Sequence, residues 1–131
     1  MQQKIITLIL SLLVATVVFS QPADCSRFRE GKFRTADPRV GAIVTTDRSP
    51  NYQTESTEAL KLVIRFSISW QDNCSYTLKL DKVLRNENKV DIPNNLTVMV
   101  KIIETTASSY VQELSSSMTN GAYRTTVTKT E

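Results

Sequence analysis

Histidine is absent from the 131-residue sequence, and cysteine and glycine are scarce, with two and three residues. Without an imidazole, the chain can build neither a Ser-His-Asp or Cys-His catalytic group nor a histidine metal site. Two cysteines cannot hold zinc or an iron–sulfur cluster by themselves. Three isolated glycines form no Gly-rich phosphate loop. The sequence therefore predicts no catalytic residue, no metal and no cofactor.

The charge is also unremarkable, with 16 basic and 13 acidic side chains and a net charge of +3. Both signs are interspersed along the chain, which leaves no concentrated basic surface for nucleic acid or anionic lipid. The densest basic stretch, residues 27–34, places Phe28 and Phe33 among its cations. A strand with its aromatic residues packed inward explains this pattern better than a base-stacking surface. We predict no nucleic-acid partner.

The first twenty residues have the three-part anatomy of a secretory signal peptide. A short basic opening that ends at Lys4 precedes an uncharged, largely apolar run of 15 residues. A membrane-spanning helix needs about 20 apolar residues, so a retained anchor is the weaker alternative. We predict cleavage between Ser20 and Gln21, which leaves residues 21–131 as one exported domain without a membrane span. The periplasm, the outer-membrane surface and the extracellular medium all remain open as its location.

Export makes a disulfide the natural state of Cys25 and Cys74. An even number of cysteines in an oxidising compartment usually means pairing. A bridge across their separation of 49 residues would close a long loop, which polymer theory values at about 4 kcal/mol. The alternative is a pair of buried free thiols.

The clearest structural signal is strict alternation of apolar and polar residues, which is typical of a half-buried β-strand. In residues 60–70 the even positions are all apolar: Leu60, Leu62, Ile64, Phe66, Ile68 and Trp70. After a polar turn at residues 71–73, alternation resumes through residues 74–81, so the two segments predict a hairpin. Residues 96–103 repeat the pattern.

Weaker strands are predicted at residues 31–35, 40–46, 52–58, 107–117 and 122–129, with a long connection at residues 83–93. Residues 48–51 read as a turn, and Asn120-Gly121 matches a type I′ turn. The sequence thus predicts an all-β fold of about eight antiparallel strands. Short links favour a meander closed into a small barrel, and a two-sheet sandwich is the alternative.

Spaced single residues also resemble a family of small exported proteins of flavobacteria and other Bacteroidota. The resemblance extends from Cys25 to the region of Tyr110, and three groups of residues carry it: Cys25-x-x-Phe28-x-x-Gly31-x-Phe33, Arg48 with Gln53-Thr54-Glu55, and Trp70-x-x-x-Cys74-x-Tyr76-x-Leu78. Members are often labelled DNA topoisomerase IV automatically. This sequence, with its export signal and no nucleotide-binding motif, gives that label no support. The layout, in which an early Gly31-x-Phe33 strand opens a meandering barrel, is also similar to that of lipocalin-like proteins. The resemblance implies a bacterial, exported, small lipocalin-like barrel, and the family has no established activity to carry over to this sequence.

Polar residues interrupt the alternation between residues 48 and 58. If Gln53 and Glu55 point into a barrel, they share one face and could anchor a ligand. Arg48 could then complete a charge pair or bind a carboxylate. A solvated edge strand, with its charges guarding against pairing with other chains, is the interpretation that the sequence favours.

Trp70 and Tyr76 flank the predicted hairpin turn. Each has an apolar body and a polar tip, so they could line the mouth of a barrel and stack on a ligand. Core packing beside the disulfide is the favoured alternative.

Three functional hypotheses follow. The first is an exported, non-catalytic barrel that binds a small hydrophobic or amphipathic ligand, which requires an internal cavity. The second is a cell-envelope interaction module with a filled core and an apolar patch around Met99 and Ile103. The third, a hydrolase, requires two carboxylates that converge in a cleft.

Overall fold

The computed structural model describes residues 24–39 and 41–131. Eight antiparallel strands form one closed barrel in which each strand pairs with its neighbours in sequence. The all-β prediction is confirmed, and the barrel rather than the sandwich is formed. The predicted signal peptide and its cleavage site lie outside the described residues. The strands are β1 Gly31–Asp37, β2 Ala42–Arg48, β3 Tyr52–Thr57, β4 Leu62–Trp70, β5 Ser75–Asn86, β6 Thr97–Thr105, β7 Ser109–Ser116 and β8 Tyr123–Lys129.

Two single-turn 3₁₀ helices, Ser26–Phe28 and Glu58–Leu60, accompany the strands. Neither helix in this described part of the chain has the length and apolar character needed to cross a membrane.

Period-two alternation sends one side of each strand into the barrel. In β4 the inward residues Leu62, Ile64, Phe66 and Ile68 are all buried, while the side chains between them are less so. Burying an apolar side chain of this size contributes roughly 1.5–3 kcal/mol, so the pattern itself drives closure of the sheet. The predicted hairpin is confirmed, with Trp70 opposite Tyr76 across it.

The barrel closes where β1 meets β8. Thr35 pairs with Val127 there, and Phe33 pairs with Lys129. Beyond the ladder, the backbone N–H of Lys32 donates to the carbonyl of Glu131 at 2.8 Å. Gly31 has a φ of +126°, and a Cβ at this position would collide with that same carbonyl. Glycine is therefore required at position 31, where the start of β1 lies against the backbone of Glu131.

One end of the barrel, which we call the closed end, is covered by the first 3₁₀ helix. Phe28 is fully buried there, with its ring 5.0 Å from that of Tyr110. A disulfide joins Cys25 to Cys74, with the two Cα atoms 5.4 Å apart, and so ties this helix to the β4–β5 turn. The predicted pairing of these cysteines is confirmed.

Three local predictions are wrong. Residues 83–86 belong to β5 rather than to a long connection, because bulges in the β4–β5 ladder let Val83 pair with Ile64 after the alternation breaks. Arg48 is the last residue of β2 rather than part of a turn. Asn120 does not take the positive φ that a type I′ turn requires, so Gly121 sits in a longer loop between β7 and β8.

Candidate functional site

The interior of the barrel contains a cavity of about 190 Å³. An apolar cavity of about 150 Å³ is enough for benzene, whereas pockets for drug-sized molecules measure about 300–1,000 Å³. The cavity therefore suits a molecule of one ring or a short chain.

The lining of the cavity is mostly polar on the side of β1–β3 and mostly apolar on the side of β5 and β6, with Val44 and Val127 as apolar residues among the polar ones. Its polar residues lie on β1–β3, β7 and β8, and its apolar residues lie mainly on β5–β7. The polar group includes Thr35, Asp37, Thr46, Arg48, Gln53, Glu55, Gln112 and Tyr123, and the apolar group includes Leu78, Leu96, Val98, Val100 and Leu114. Such a lining matches an amphipathic ligand better than a purely apolar one.

Arg48 lies at the closed end and is only 3% exposed. Its Nε donates to Oε1 of Gln53 at 2.8 Å, and its Nη1 donates to the carbonyl of Phe28 at 2.6 Å. Its Nη2 donates to the hydroxyls of Tyr76 at 2.8 Å and Tyr110 at 3.0 Å. One guanidinium thus joins β2, β3, β5, β7 and the first 3₁₀ helix.

Aromatic rings add to the environment of this cation. Its Cζ lies 4.4 Å from the ring centre of Phe33 and 4.9 Å from that of Tyr76, and a desolvated cation–π contact is worth about 2 kcal/mol. Burial lowers the pKa of Arg48, but Tyr76, Tyr110 and Glu55 outweigh this effect and leave it above its ordinary value. The guanidinium is therefore charged at every accessible pH.

The hydroxyl of Tyr76 stays protonated. Burial, and then the neighbouring Tyr110, raise its pKa well above the ordinary value even though Arg48 opposes the shift. Both tyrosine hydroxyls accept from Arg48, and the hydroxyl of Tyr76 keeps its own proton for donation.

Gln53 connects this cluster to Glu55. Its Oε1 accepts from Arg48, so its Nε2 is turned toward Glu55, where it donates to Oε1 at 2.9 Å. Burial raises the pKa of the Glu55 carboxyl, with a smaller contribution from Asp37, and the Gln53 hydrogen bond and the charge of Arg48 only partly oppose it. Glu55 is a carboxylate in an environment that penalises its charge.

Asp37 and Tyr123 lie at the other end of the cavity, where β1 ends and β8 begins. Oδ2 of Asp37 accepts from the Tyr123 hydroxyl at 3.4 Å, and its Oδ1 accepts from the backbone N–H of Arg39 at 2.9 Å. Burial, and then the charge of Asp37, raise the pKa of Tyr123 to about 12. Both oxygens of Asp37 thus have donors.

Trp70 does not line the cavity. Its ring packs against that of Tyr76 at 4.6 Å, and the guanidinium of Arg29 covers it at 4.4 Å. Tyr76 itself is 1% exposed and reaches the cavity with its hydroxyl end. The favoured interpretation of this pair, packing beside the disulfide, agrees with these contacts for Trp70, whereas Tyr76 also belongs to the cavity.

The structure brings Arg48, Gln53 and Glu55 together on the inner face of the barrel. The favoured alternative, a solvated edge strand, is wrong, because β3 pairs with both β2 and β4 and the closed barrel has no edge there. Arg48 and Gln53 are each only 3% exposed. Their polarity reflects a hydrogen-bonded interior, not protection of an edge.

Sequence reasoning missed Asp37, Tyr110 and Tyr123 as lining residues. The positions of Tyr110 and Tyr123 in the sequence do not indicate a shared site, because these side chains reach residues of β1 and β2 only when the barrel closes. Gln112, which donates to Thr125 at 3.0 Å, could have been found, since it breaks the inward apolar pattern of β7.

No cluster of three or more potential metal ligands occurs in residues 24–39 and 41–131. Comparison of the chain with models of known protein families found no match. Curated proteins and solved structures gave no match either. The resemblance to a family of exported flavobacterial proteins therefore stays a prediction, and the function has to be argued from the cavity.

Proposed function

We propose that the protein is an exported, non-catalytic β-barrel that binds a small amphipathic molecule in its interior. The observation that carries this proposal is the cavity of about 190 Å³ with one polar and one apolar wall. A side-chain-filled barrel of this size gains more from a continuous apolar core, since each buried polar group needs a partner. Retaining polar groups around an open space is therefore best explained by a ligand.

The compartment is consistent with this role. The Cys25–Cys74 disulfide is typical of oxidising environments outside the cytoplasm. Together with the predicted signal peptide at residues 1–20, it supports export to the periplasm or cell surface.

The alternative, an envelope interaction module, rests on the outer face of β6. Met99 is 57% exposed, but Thr77 and Ser115 flank it on the neighbouring strands. Ile103, the other residue of the predicted patch, is only partly exposed, and a single exposed methionine is ordinary on a protein surface. The cavity favours ligand binding over this module.

The third hypothesis, a carboxylate-based hydrolase, has one observation in its favour. Asp37 and Glu55 both line the cavity. However, both oxygens of Asp37 already accept hydrogen bonds, and the space is smaller than pockets that hold drug-sized substrates. Binding without turnover fits these facts better.

Native mass spectrometry tests the proposal. The protein is recovered from an oxidising compartment, and its mass is recorded before and after mild denaturation. We expect an additional mass that is released on unfolding. A bare polypeptide, found again after exposure to a small-molecule and lipid extract of the host, would overturn the proposal.

A further inference from the structure

We infer that the cavity binds a small organic ammonium ion, with its nitrogen at Glu55 and its apolar body against β5 and β6. This inference rests on the proposed function and names the chemical class of the ligand.

The first argument is the incomplete coordination of Glu55. Gln53 donates to Oε1 at 2.9 Å, and no other hydrogen bond to this carboxylate is formed within the described chain. No lysine or arginine nitrogen of residues 24–39 and 41–131 lies within 4.0 Å of it. Oε2 thus has no protein donor and remains accessible, because it is not among the fully buried unpaired atoms of the described chain. Since Glu55 lines the cavity, this oxygen is available to an N–H group of a ligand.

The second argument is the charge of the lining. Among the described lining residues the carboxylates are Asp37 and Glu55 and the cation is Arg48. The Arg39 guanidinium lies 4.0 Å from the ring centre of Tyr123 at the Asp37 end. With Arg39 included these charges balance, so the need for a cation is local to Glu55, which has no cationic nitrogen of the described chain within 4.0 Å. Charges in a low-dielectric interior are stabilised chiefly by pairing with an opposite charge.

The third argument concerns a carboxylate ligand held by Arg48. All three nitrogens of this guanidinium already donate to protein acceptors, and only one N–H group, on Nη1, is left over. No two parallel N–H groups remain for a bidentate carboxylate. The sequence-based idea that Arg48 binds a carboxylate ligand is therefore unfavourable in this geometry.

The apolar wall and the volume set the size of the ligand. Leu78, Val98, Val100 and Leu114 face the polar side across the cavity. Its volume is slightly above the roughly 150 Å³ that accepts benzene, so an ammonium ion with one ring and a short arm fits.

Three ligands of matched shape test the inference: benzylammonium, benzyl alcohol and benzoate. Titration calorimetry at pH 7 on the intact disulfide-bonded protein is expected to give at least tenfold tighter binding of benzylammonium than of the other two. Equal or tighter binding of the alcohol or of benzoate would overturn the ammonium inference while leaving a ligand-binding barrel in place. If none of the three binds, the inference fails, and the native mass spectrum decides the proposed function separately.

Variants locate the site. Glu55→Gln keeps an oxygen for the Gln53 amide but removes the charge, and we expect at least a tenfold loss of benzylammonium affinity with less than a twofold change for benzyl alcohol. Asp47→Asn removes an exposed carboxylate from the outer face of β2 and serves as the matched control. Unchanged benzylammonium affinity in Glu55→Gln, with the native circular dichroism spectrum retained, would contradict the inference.

Discussion

The closed end of the barrel and the cavity beside it surround a charged side chain in opposite ways: Arg48 is buried, whereas Glu55 is only partly buried. At the closed end, every nitrogen of the Arg48 guanidinium donates to a protein acceptor, and aromatic rings cover its faces. In the cavity, Glu55 has one protein donor and an oxygen left over. Gln53 is hydrogen-bonded to both Arg48 and Glu55, so the two different environments belong to one hydrogen-bond network.

The difference indicates where stability and binding reside. A fully partnered buried charge holds elements together, and removal of any partner is costly. A partly partnered one lowers stability and remains available to a ligand. Substitutions at the closed end should therefore destabilise the fold, whereas neutralising Glu55 should stabilise it.

The largest effect is expected from removal of the disulfide at the closed end. The double substitution Cys25→Ser/Cys74→Ser releases a loop defined by a sequence separation of 49 residues and should lower the free energy of unfolding by about 4 kcal/mol. Urea denaturation measures this loss of stability, and the wild-type protein under reducing conditions provides a second form without the disulfide. A loss below about 1 kcal/mol would show that the first 3₁₀ helix is held mainly by other contacts.

The next largest effect is expected from Arg48→Met. Methionine retains much of the apolar stem but leaves Gln53, the Phe28 carbonyl and two tyrosine hydroxyls without their donor. Unsatisfied buried groups cost about 1–3 kcal/mol each, with partial relief by water, so a net loss of about 3 kcal/mol is expected in urea denaturation. Arg34→Met, on the exposed face of β1, is the control and should change stability by less than about 0.5 kcal/mol.

Smaller losses are expected from Tyr76→Phe and Tyr110→Phe. Each removes one acceptor of Arg48 Nη2 and should cost about 1–2 kcal/mol. Because both hydroxyls serve the same nitrogen, the double variant should differ from the sum of the single variants by at least about 0.5 kcal/mol. Strict additivity would mean that the two hydrogen bonds act independently.

The smallest effect, and the only one of opposite sign, is expected from Glu55→Gln in the ligand-free protein. Burial raises the pKa of Glu55 above its ordinary value of 4.5. Between pH 4.5 and this raised pKa, the folded state therefore binds more protons than the unfolded state. Stability therefore falls as the pH rises through this interval, and the full cost is present above it. Glutamine avoids the cost, so we expect Tm at pH 7 to rise by roughly a few degrees.

Thermal unfolding across pH gives the control for that prediction. As the pH falls toward 4.5, Glu55 becomes protonated and resembles glutamine, so the difference in Tm should vanish. A difference in Tm that is constant across pH, or a lower Tm for the variant, would show that the charge of Glu55 does not destabilise the fold. The contrast drawn between Glu55 and Arg48 would then be wrong.

The strands could be predicted because alternation is a local signal. Where β4 and β5 follow period two, burial follows the sequence closely. The disulfide could be predicted from an even number of cysteines together with the predicted signal peptide. The end of β5 could not be found in this way, because Leu80 and Val83 are three positions apart and only a bulge at Asp81 within β5 itself brings both inward.

The candidate site could be predicted from the sequence only in part. Gln53 and Glu55 share a face of the strand because they are two positions apart. Both side chains line the cavity, as the hypothesis of a ligand anchor required. Their favoured interpretation was wrong because an interrupted apolar pattern looks the same on an exposed edge and around a cavity. The partners on β5, β7 and β8 depend on the stagger of the closed barrel, which alternation does not encode.

The ladder between β1 and β8 also determines when the fold can be completed. It joins the first strand to the last, so this contact has nearly the greatest sequence separation that the described chain allows. Folding rates fall as such separations increase, because loop entropy is lost before the contact stabilises the chain. The barrel should therefore fold slowly, and it should reach its closed form only after β8 is available.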